Sequence, residues 1–193
     1  MSNVRNYKDE ELLGKVESLT SFKGIPNGYW LLGVQSTEDA YDEFDDKFYV
    51  FRGRLFEMSL TGTTNAGADA LQNYNKYNPL GTAIIKTDEW YQDLWSPGLH
   101  KGKMKCLKQV NPILHYRDKN KDKKAEQTGT LYNKLIGCEF HTATYNEGIS
   151  FVRKLIGGWS AACQVANNTD QYYKALDLFW TQKFTTYCLI KEF

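Results

Sequence analysis

Short apolar runs separated by turn formers limit what this chain can fold into. Tyr29 to Val34, Phe48 to Phe51, Leu55 to Leu60, Thr82 to Lys86, Lys105 to Val110, Ile113 to Arg117, Leu135 to Ala143 and Phe184 to Ile190 have the length and side chains of strands. The second and third, joined around Arg52-Gly53-Arg54, read as a β-hairpin. Helical spacing is rarer. Leu12, Leu13, Val16 and Leu19 form one stripe between Lys8 and Thr20, with Asp9, Glu10 and Glu11 suited to the first turn. A second stripe, Tyr173, Leu176, Phe179 and Trp180, follows the capping signal Asn168-Thr169-Asp170-Gln171, and Ala68 to Tyr74 has the character of a short helix. The expectation is a mixed α/β (α+β), strand-rich domain: a curved, mostly β core, a helix packed on it near the C-terminus, and an N-terminal helical arm.

At 193 residues the chain suits one such domain. Hydrophobic residues make up 41% and aromatics 15%, which excludes disorder and favours strands and adhesive surfaces. Lys and Arg number 24 against 23 Asp and Glu, so no global charge points to nucleic acid or an anionic membrane. No segment has the length of a membrane span, and the N-terminus lacks the apolar run of a secretory signal peptide, so synthesis in a cytoplasm is expected. The four cysteines are dispersed with no metal-ligand spacing, and no metal or cofactor is implied.

Several local features carry their own expectations. Glu38 to Asp46 holds six acidic side chains and reads as a solvated loop or surface helix; calcium-loop spacing is missing. Ser96-Pro97-Gly98 reads as a turn that delivers Leu99-His100-Lys101-Gly102 into a loop. Asp118 to Asp122 begins like an EF-hand loop, but Lys123 stands where that loop needs glycine and Gly129 where it needs a bidentate glutamate, so an exposed connection is expected.

The chemistry concentrates in Gly157-Gly158-Trp159-Ser160-Ala161-Ala162-Cys163-Gln164-Val165 and in Phe140-His141-Thr142-Ala143. A cysteine among small residues has an approachable sulfur and backbone amides free to face a ligand. An imidazole folded beside it lowers the thiol pKa and accepts its proton. Alternation puts Gly137, Glu139 and His141 on one face of a strand, and Cys138, Phe140 and Thr142 on the other, which makes Cys138 a core residue.

Ser160-Ala161-Ala162-Cys163-Gln164 with His141 upstream resembles the motif of the L,D-transpeptidase catalytic-domain family, a histidine at a strand end followed by Ser/Thr-His-Gly-Cys and a polar residue. Asn78-Pro79-Leu80-Gly81-Thr82-Ala83-Ile84, Gly98 to Gly102, Tyr116-Arg117-Asp118 and Trp159 to Val165, in that order, look like a phage-encoded branch of the class. The resemblance runs from about Met58 to the C-terminus. It divides the chain into residues 1–57, an arm with the first strands and an interaction region, and residues 58–193, an L,D-transpeptidase-like domain.

The resemblance implies a cysteine acyl transfer on peptidoglycan stem peptides, with Cys163 as nucleophile and His141 as base. Ala161, Ala162 and Cys163 amides would hold the oxyanion, Thr142 would orient the imidazole, and Ser160 would satisfy local backbone groups. Trp159, His100, Lys101 and Arg117 are the substrate-binding candidates, the basic ones for a stem-peptide carboxylate. Two positions depart from the motif: Ala161 stands for the family's second histidine and Ala162 for its glycine. If the latter position needs φ > 0, its Cβ costs about 1 kcal/mol. The expected setting is a virion- or lysis-associated phage protein. The rival expectation is a structural virion component, such as a tail, ring or connector subunit, that keeps the fold and contacts other virion proteins or further copies of itself.

Overall fold

The computed structural model describes residues 2–193 as a strand-rich α+β protein with a large mixed sheet and few helices. The strands are β1 (Tyr29–Gln35), β2 (Asp46–Arg52), β3 (Leu55–Thr63), β4 (Thr82–Ile85), β5 (Glu89–His100), β6 (Met104–Gln109), β7 (Ile113–Asp118), β8 (Tyr132–Lys134), β9 (Phe140–Thr142), β10 (Gln164–Ala166) and β11 (Thr185–Lys191). The helices are α1 (Asp9–Glu17), α2 (Ala68–Gln72) and α3 (Thr169–Phe179), with a 3-10 turn at Tyr74–Lys76. Among the described residues, eight strands close a barrel in the order β1, β11, β5, β6, β9, β10, β3, β2, and β4, β7 and β8 form a separate small sheet. Two pairings are parallel, β1 with β11 and β9 with β10.

The continuous apolar runs of β1, β2 and β11 reflect burial on both faces. Leu31, Phe48, Val50, Tyr187 and Leu189 join the cluster reached by Tyr172, Ala175, Leu176 and Phe179 of α3. Their neighbours Trp30, Leu32, Tyr49, Phe51, Cys188 and Ile190 face the other way, onto Leu12, Leu13 and Val16 of α1. The period-two alternation of each strand therefore serves two helices on opposite sides. Helix α1 is docked on the barrel through its apolar stripe, as an amphipathic helix packed on its own core would be, and β1 and β2 complete the barrel wall. The division at residue 57 falls inside β3.

Helix α3 starts as its sequence implies, with the Asn168 side chain accepting from the Gln171 amide at 3.1 Å. Its buried face is rotated from the expected one: Tyr172 and Ala175 are buried and Trp180 is exposed. The Tyr172 hydroxyl rotates the face inward by donating to the carbonyl oxygens of Lys105 and Phe140.

The Ser96-Pro97-Gly98 turn does not form. Strand β5 runs through it, with Pro97 opposite Leu107 on β6. Proline is tolerated there because β11 pairs with β5 only as far as Trp95, so beyond that point one edge of β5 needs no N–H donor. Only Lys101 to Lys103 turn, with Lys101 and Gly102 at positive φ. The strand expected over Leu135 to Ala143 shortens to β9, because Ile136 and Cys138 spend their amides on the Gln109 side chain.

The acidic stretch is a loop solvated only in part, with Glu38 and Glu43 exposed and its last two carboxylates turned inward. Asp45 and Asp46 are buried and act as backbone acceptors. Asp46 takes the amides of Ser36 and Thr64 and the Thr64 hydroxyl, Asp45 takes the Ala40 amide, and Asp42 takes those of Ala68 and Gly157. In the Asp118 loop the carboxylates likewise accept loop amides, Asp118 those of Asn120 and Glu126, and Asp122 that of Lys124. Among the described residues no group of three or more His, Cys, Asp or Glu side chains is arranged to hold a metal ion, and no helix is long and apolar enough to cross a membrane.

Candidate active site

The parallel pairing of β9 with β10 assembles the site. Its register sets Phe140 opposite Gln164 and His141 opposite Val165, and the Gln164 amide donates to the Glu139 carbonyl at 2.9 Å. Cys163 therefore lies next to Glu139, on the same face as His141 and two positions away along the neighbouring strand. That offset corresponds to about 8 Å between α-carbons, from about 3.3 Å rise per residue and about 4.8 Å between strands. Phe140 and Ala166 point the other way into the core with Cys138 and Ala162, as alternation requires.

The loop before Cys163 is tied down from several sides. Asp42 accepts the Gly157 amide at 2.7 Å, and its own carbonyl accepts the Ile156 amide at 3.0 Å. Gly67 approaches so closely that a Cβ there would collide with the Gly157 carbonyl oxygen, and its amide donates to the Ser160 carbonyl at 3.0 Å. The Ser160 hydroxyl donates to the Cys163 carbonyl at 2.8 Å, closing a tight turn under the cysteine. Among the described residues the amides of Ala161, Ala162 and Cys163 donate to no protein acceptor, which leaves them free for a ligand oxygen. Ala162 is not at positive φ, so its Cβ carries no left-handed strain; its side chain packs into the core.

His141 is fully buried. Its Nδ1 lies 2.7 Å from the Thr142 carbonyl oxygen, so Nδ1 carries the proton and Nε2 presents its lone pair. Nε2 is itself buried and has no hydrogen-bond partner among the described residues. The Thr142 hydroxyl is used elsewhere, on the Ala166 carbonyl at 3.2 Å, so it is the carbonyl that orients the ring. Burial, aided by the neighbouring His100 and Lys101, pushes the His141 pKa down to about 3 and keeps the ring neutral.

Cys163 is the one half-buried cysteine; Cys106, Cys138 and Cys188 are buried. Its Sγ donates to the Gly137 carbonyl at 3.5 Å and is not hydrogen-bonded to His141. Burial pushes the thiol up to about 12, against a lowering contribution from the Glu139 backbone amide, while the charge of Lys101 favours the thiolate. The resting pair is thus neutral thiol and neutral imidazole. This differs from the activated thiolate expected from sequence, because desolvation outweighs the nearby donors.

Cys163 opens on a cleft of about 230 Å³ between the cysteine loop and the small sheet, also lined by Asn78, Gly81, Thr82, Arg117, Gly137 and Ala162. Among the described residues Arg117, on β7, is the only charged one lining it. One guanidinium nitrogen, Nη1, donates to the Gly81 carbonyl at 3.1 Å, and no carboxylate pairs with it among the described residues. Of the three basic candidates, the fold brings only Arg117 into the cleft. Lys101 sits on the exposed turn after β5, and His100 is buried behind His141. Trp159 does not line the cleft; it packs on Tyr145 with ring centroids 5.1 Å apart, under the Arg153 guanidinium. Sequence reasoning missed Gly137 as the thiol's acceptor, Asp42 as the anchor of the loop and Glu139 as a buried carboxylate. Only the placement of Glu139 on the His141 face was visible in the alternation.

Fold and site together define a barrel-based α+β domain carrying a cysteine and a histidine on one face of adjoining parallel strands. No family model, no curated protein and no solved structure matches the chain.

Proposed function

We propose that the protein is a cysteine acyltransferase or peptidase of L,D-transpeptidase type, acting on peptidoglycan stem peptides in a phage setting, in the virion or at lysis. The observation that carries this reading is a cysteine whose sulfur opens on a cleft with, two positions away on the same strand face, a tautomer-locked imidazole that is buried behind the cleft lining and whose Nε2 has no partner among the described residues. In the reaction the Cys163 sulfur attacks a substrate amide carbon while His141 Nε2 takes the thiol proton. The oxyanion is held by the free amides around Ala161 to Cys163, a contribution of about 3 kcal/mol per well-placed donor. Collapse breaks the C–N bond, His141 returns the proton to the leaving amine, and a thioester remains. An acceptor amine then completes transpeptidation, or water completes hydrolysis. Rotation of Cys163 from Gly137 toward His141 must precede attack, a tightening that substrate binding supplies in many enzymes. Arg117 is positioned to take a substrate carboxylate at the cleft wall.

A structural virion role is the second reading. It is favoured by the exposed apolar side chains Ile149, Val152 and Leu155 on the loop before the cysteine, a surface suited to contact with other copies or other virion proteins. Incubation with peptidoglycan fragments, followed by mass spectrometry of the products, separates the two. Turnover lost in Cys163→Ser supports the enzyme. Intact fragments together with a closed oligomer in light scattering support the structural role.

A further inference from the structure

Behind the imidazole lies a buried pair that the proposed chemistry does not use directly. His100, at the end of β5, is hydrogen-bonded through Nδ1 to Glu139 Oε2, and both residues are buried. A titratable pair inside a protein contributes little to stability compared with apolar side chains of the same volume. Its placement is specific. The His100 ring lies 4.3 Å from the His141 ring, centroid to centroid, at an interplanar angle of 30°. Glu139 stands two residues before His141 on the same strand face, and its carbonyl receives the amide of Gln164, immediately after the cysteine. One residue therefore links the nucleophile's strand to the ring that covers the base.

We infer that His100, held by Glu139, is a positioning residue for His141: its ring packs on the imidazole face and keeps Nε2 presented on the side of Cys163. This rests on the acyl-transfer reading for its purpose, though not for its geometry. The Nδ1 bond to Thr142 holds the tautomer only while the His141 ring keeps its plane; turning about the Cβ–Cγ bond would break it and free the tautomer, and a flat neighbour blocks that turn. The titratable and charged groups around His141 are His100, whose ring packs on it, and Lys101 on the turn after β5; Glu139 and Cys163 lie on the same strand face, Glu139 bonded to His100 and the Cys163 sulfur to the Gly137 carbonyl.

The test compares two neutral double variants, H100F/E139Q, which keeps a ring against His141, and H100A/E139Q, which removes it. The expected result in ring-nitrogen NMR is one Nδ1–H tautomer of His141 in the wild type and in H100F/E139Q, with mixed tautomers in H100A/E139Q. On peptidoglycan fragments, H100A/E139Q is expected to lose about 10- to 100-fold in kcat relative to H100F/E139Q with KM nearly unchanged, the signature of a misplaced base. Equal tautomer populations in the two variants overturn the inference. If H100A/E139Q does not fold, H100F/E139Q alone decides: retention of the single tautomer supports positioning and its loss overturns it. Absence of turnover in the wild type overturns the acyl-transfer reading instead, and the NMR comparison still decides the role of His100.

Discussion

The Thr142 carbonyl oxygen takes the Nδ1 proton of His141 at 2.7 Å, and this one bond fixes which imidazole nitrogen is able to act as a base. It joins neighbouring residues, so it survives any local shift that moves β9 as a unit. What it does not set is the state of the sulfur, which rests on the Gly137 carbonyl. Under the proposed acyl transfer the base is prepared and the nucleophile is not, and the consequences are measurable.

Thiol reactivity follows from burial. With Cys163 pushed up to about 12, alkylation by iodoacetamide at pH 7.5 is expected to run slower than with a free thiol, whose pKa is about 8.5. Peptide mapping should nonetheless find Cys163 labelled first, since the other three cysteines are buried. Rapid labelling at neutral pH would show a preformed thiolate and contradict the resting geometry.

Arg117 is expected to act in binding. Arg117→Gln should lower kcat/KM by about 10- to 100-fold, mainly through KM, the scale of one lost hydrogen bond to a charged group. Steady-state kinetics on fragments with free and amidated carboxylates checks this. The penalty should vanish for the amidated donor, and an equal loss on both would remove the carboxylate role.

Docking of α1 makes its apolar stripe a stability determinant. Leu12 is fully buried against the barrel, so Leu12→Ala should cost about 2–5 kcal/mol in urea unfolding. A cost under about 0.5 kcal/mol, typical of surface positions, would mean that the helix is a loose arm.

The pH dependence of stability contains two opposed contributions. Burial raises Asp45 to about 6 and, with the neighbouring Asp45 charge, raises Asp46 to about 7. The folded protein thus holds protons that the unfolded chain releases near pH 4, and these groups lower stability as pH rises from about 4 to about 7. His141, at about 3 when folded and near 6.5 when unfolded, acts the other way: stability is lost as pH falls from about 6.5 toward 3. His115, also lowered by burial, adds to the second contribution. Relative to wild type, His141→Asn should gain in melting temperature at pH 4.5 over pH 7. Parallel profiles would contradict a buried neutral imidazole.

The strand content, the hairpin through Gly53, the Asn168 cap and the facing of Cys138 were legible because each depends on local periodicity or a local hydrogen bond. The path of β5 through Pro97 was not, since only the end of its pairing with β11 at Trp95 makes proline acceptable there. Tyr172 escaped for a related reason, as its hydroxyl finds acceptors on two distant strands. Asp45 and Asp46 read as surface residues because carboxylates usually are; the amides that hold them come from segments 10 to 18 residues away or more locally from the loop itself. In the site, His141 and Cys163 were legible as residue types in context. The isolation of Arg117 in the cleft and the His100 ring behind the base depend on how β5, β7 and β9 meet.

The proposed reaction requires that Cys163 become acylated with His141 as its base. Intact-protein mass spectrometry after brief mixing with a tetrapeptide-bearing peptidoglycan fragment measures it directly. The expected result is a mass increase equal to the donor minus its leaving amine, mapped to Cys163, sharply reduced in His141→Asn and absent in Cys163→Ser. An unmodified wild-type mass at saturating fragment, with no product released, would rule out acylation of Cys163.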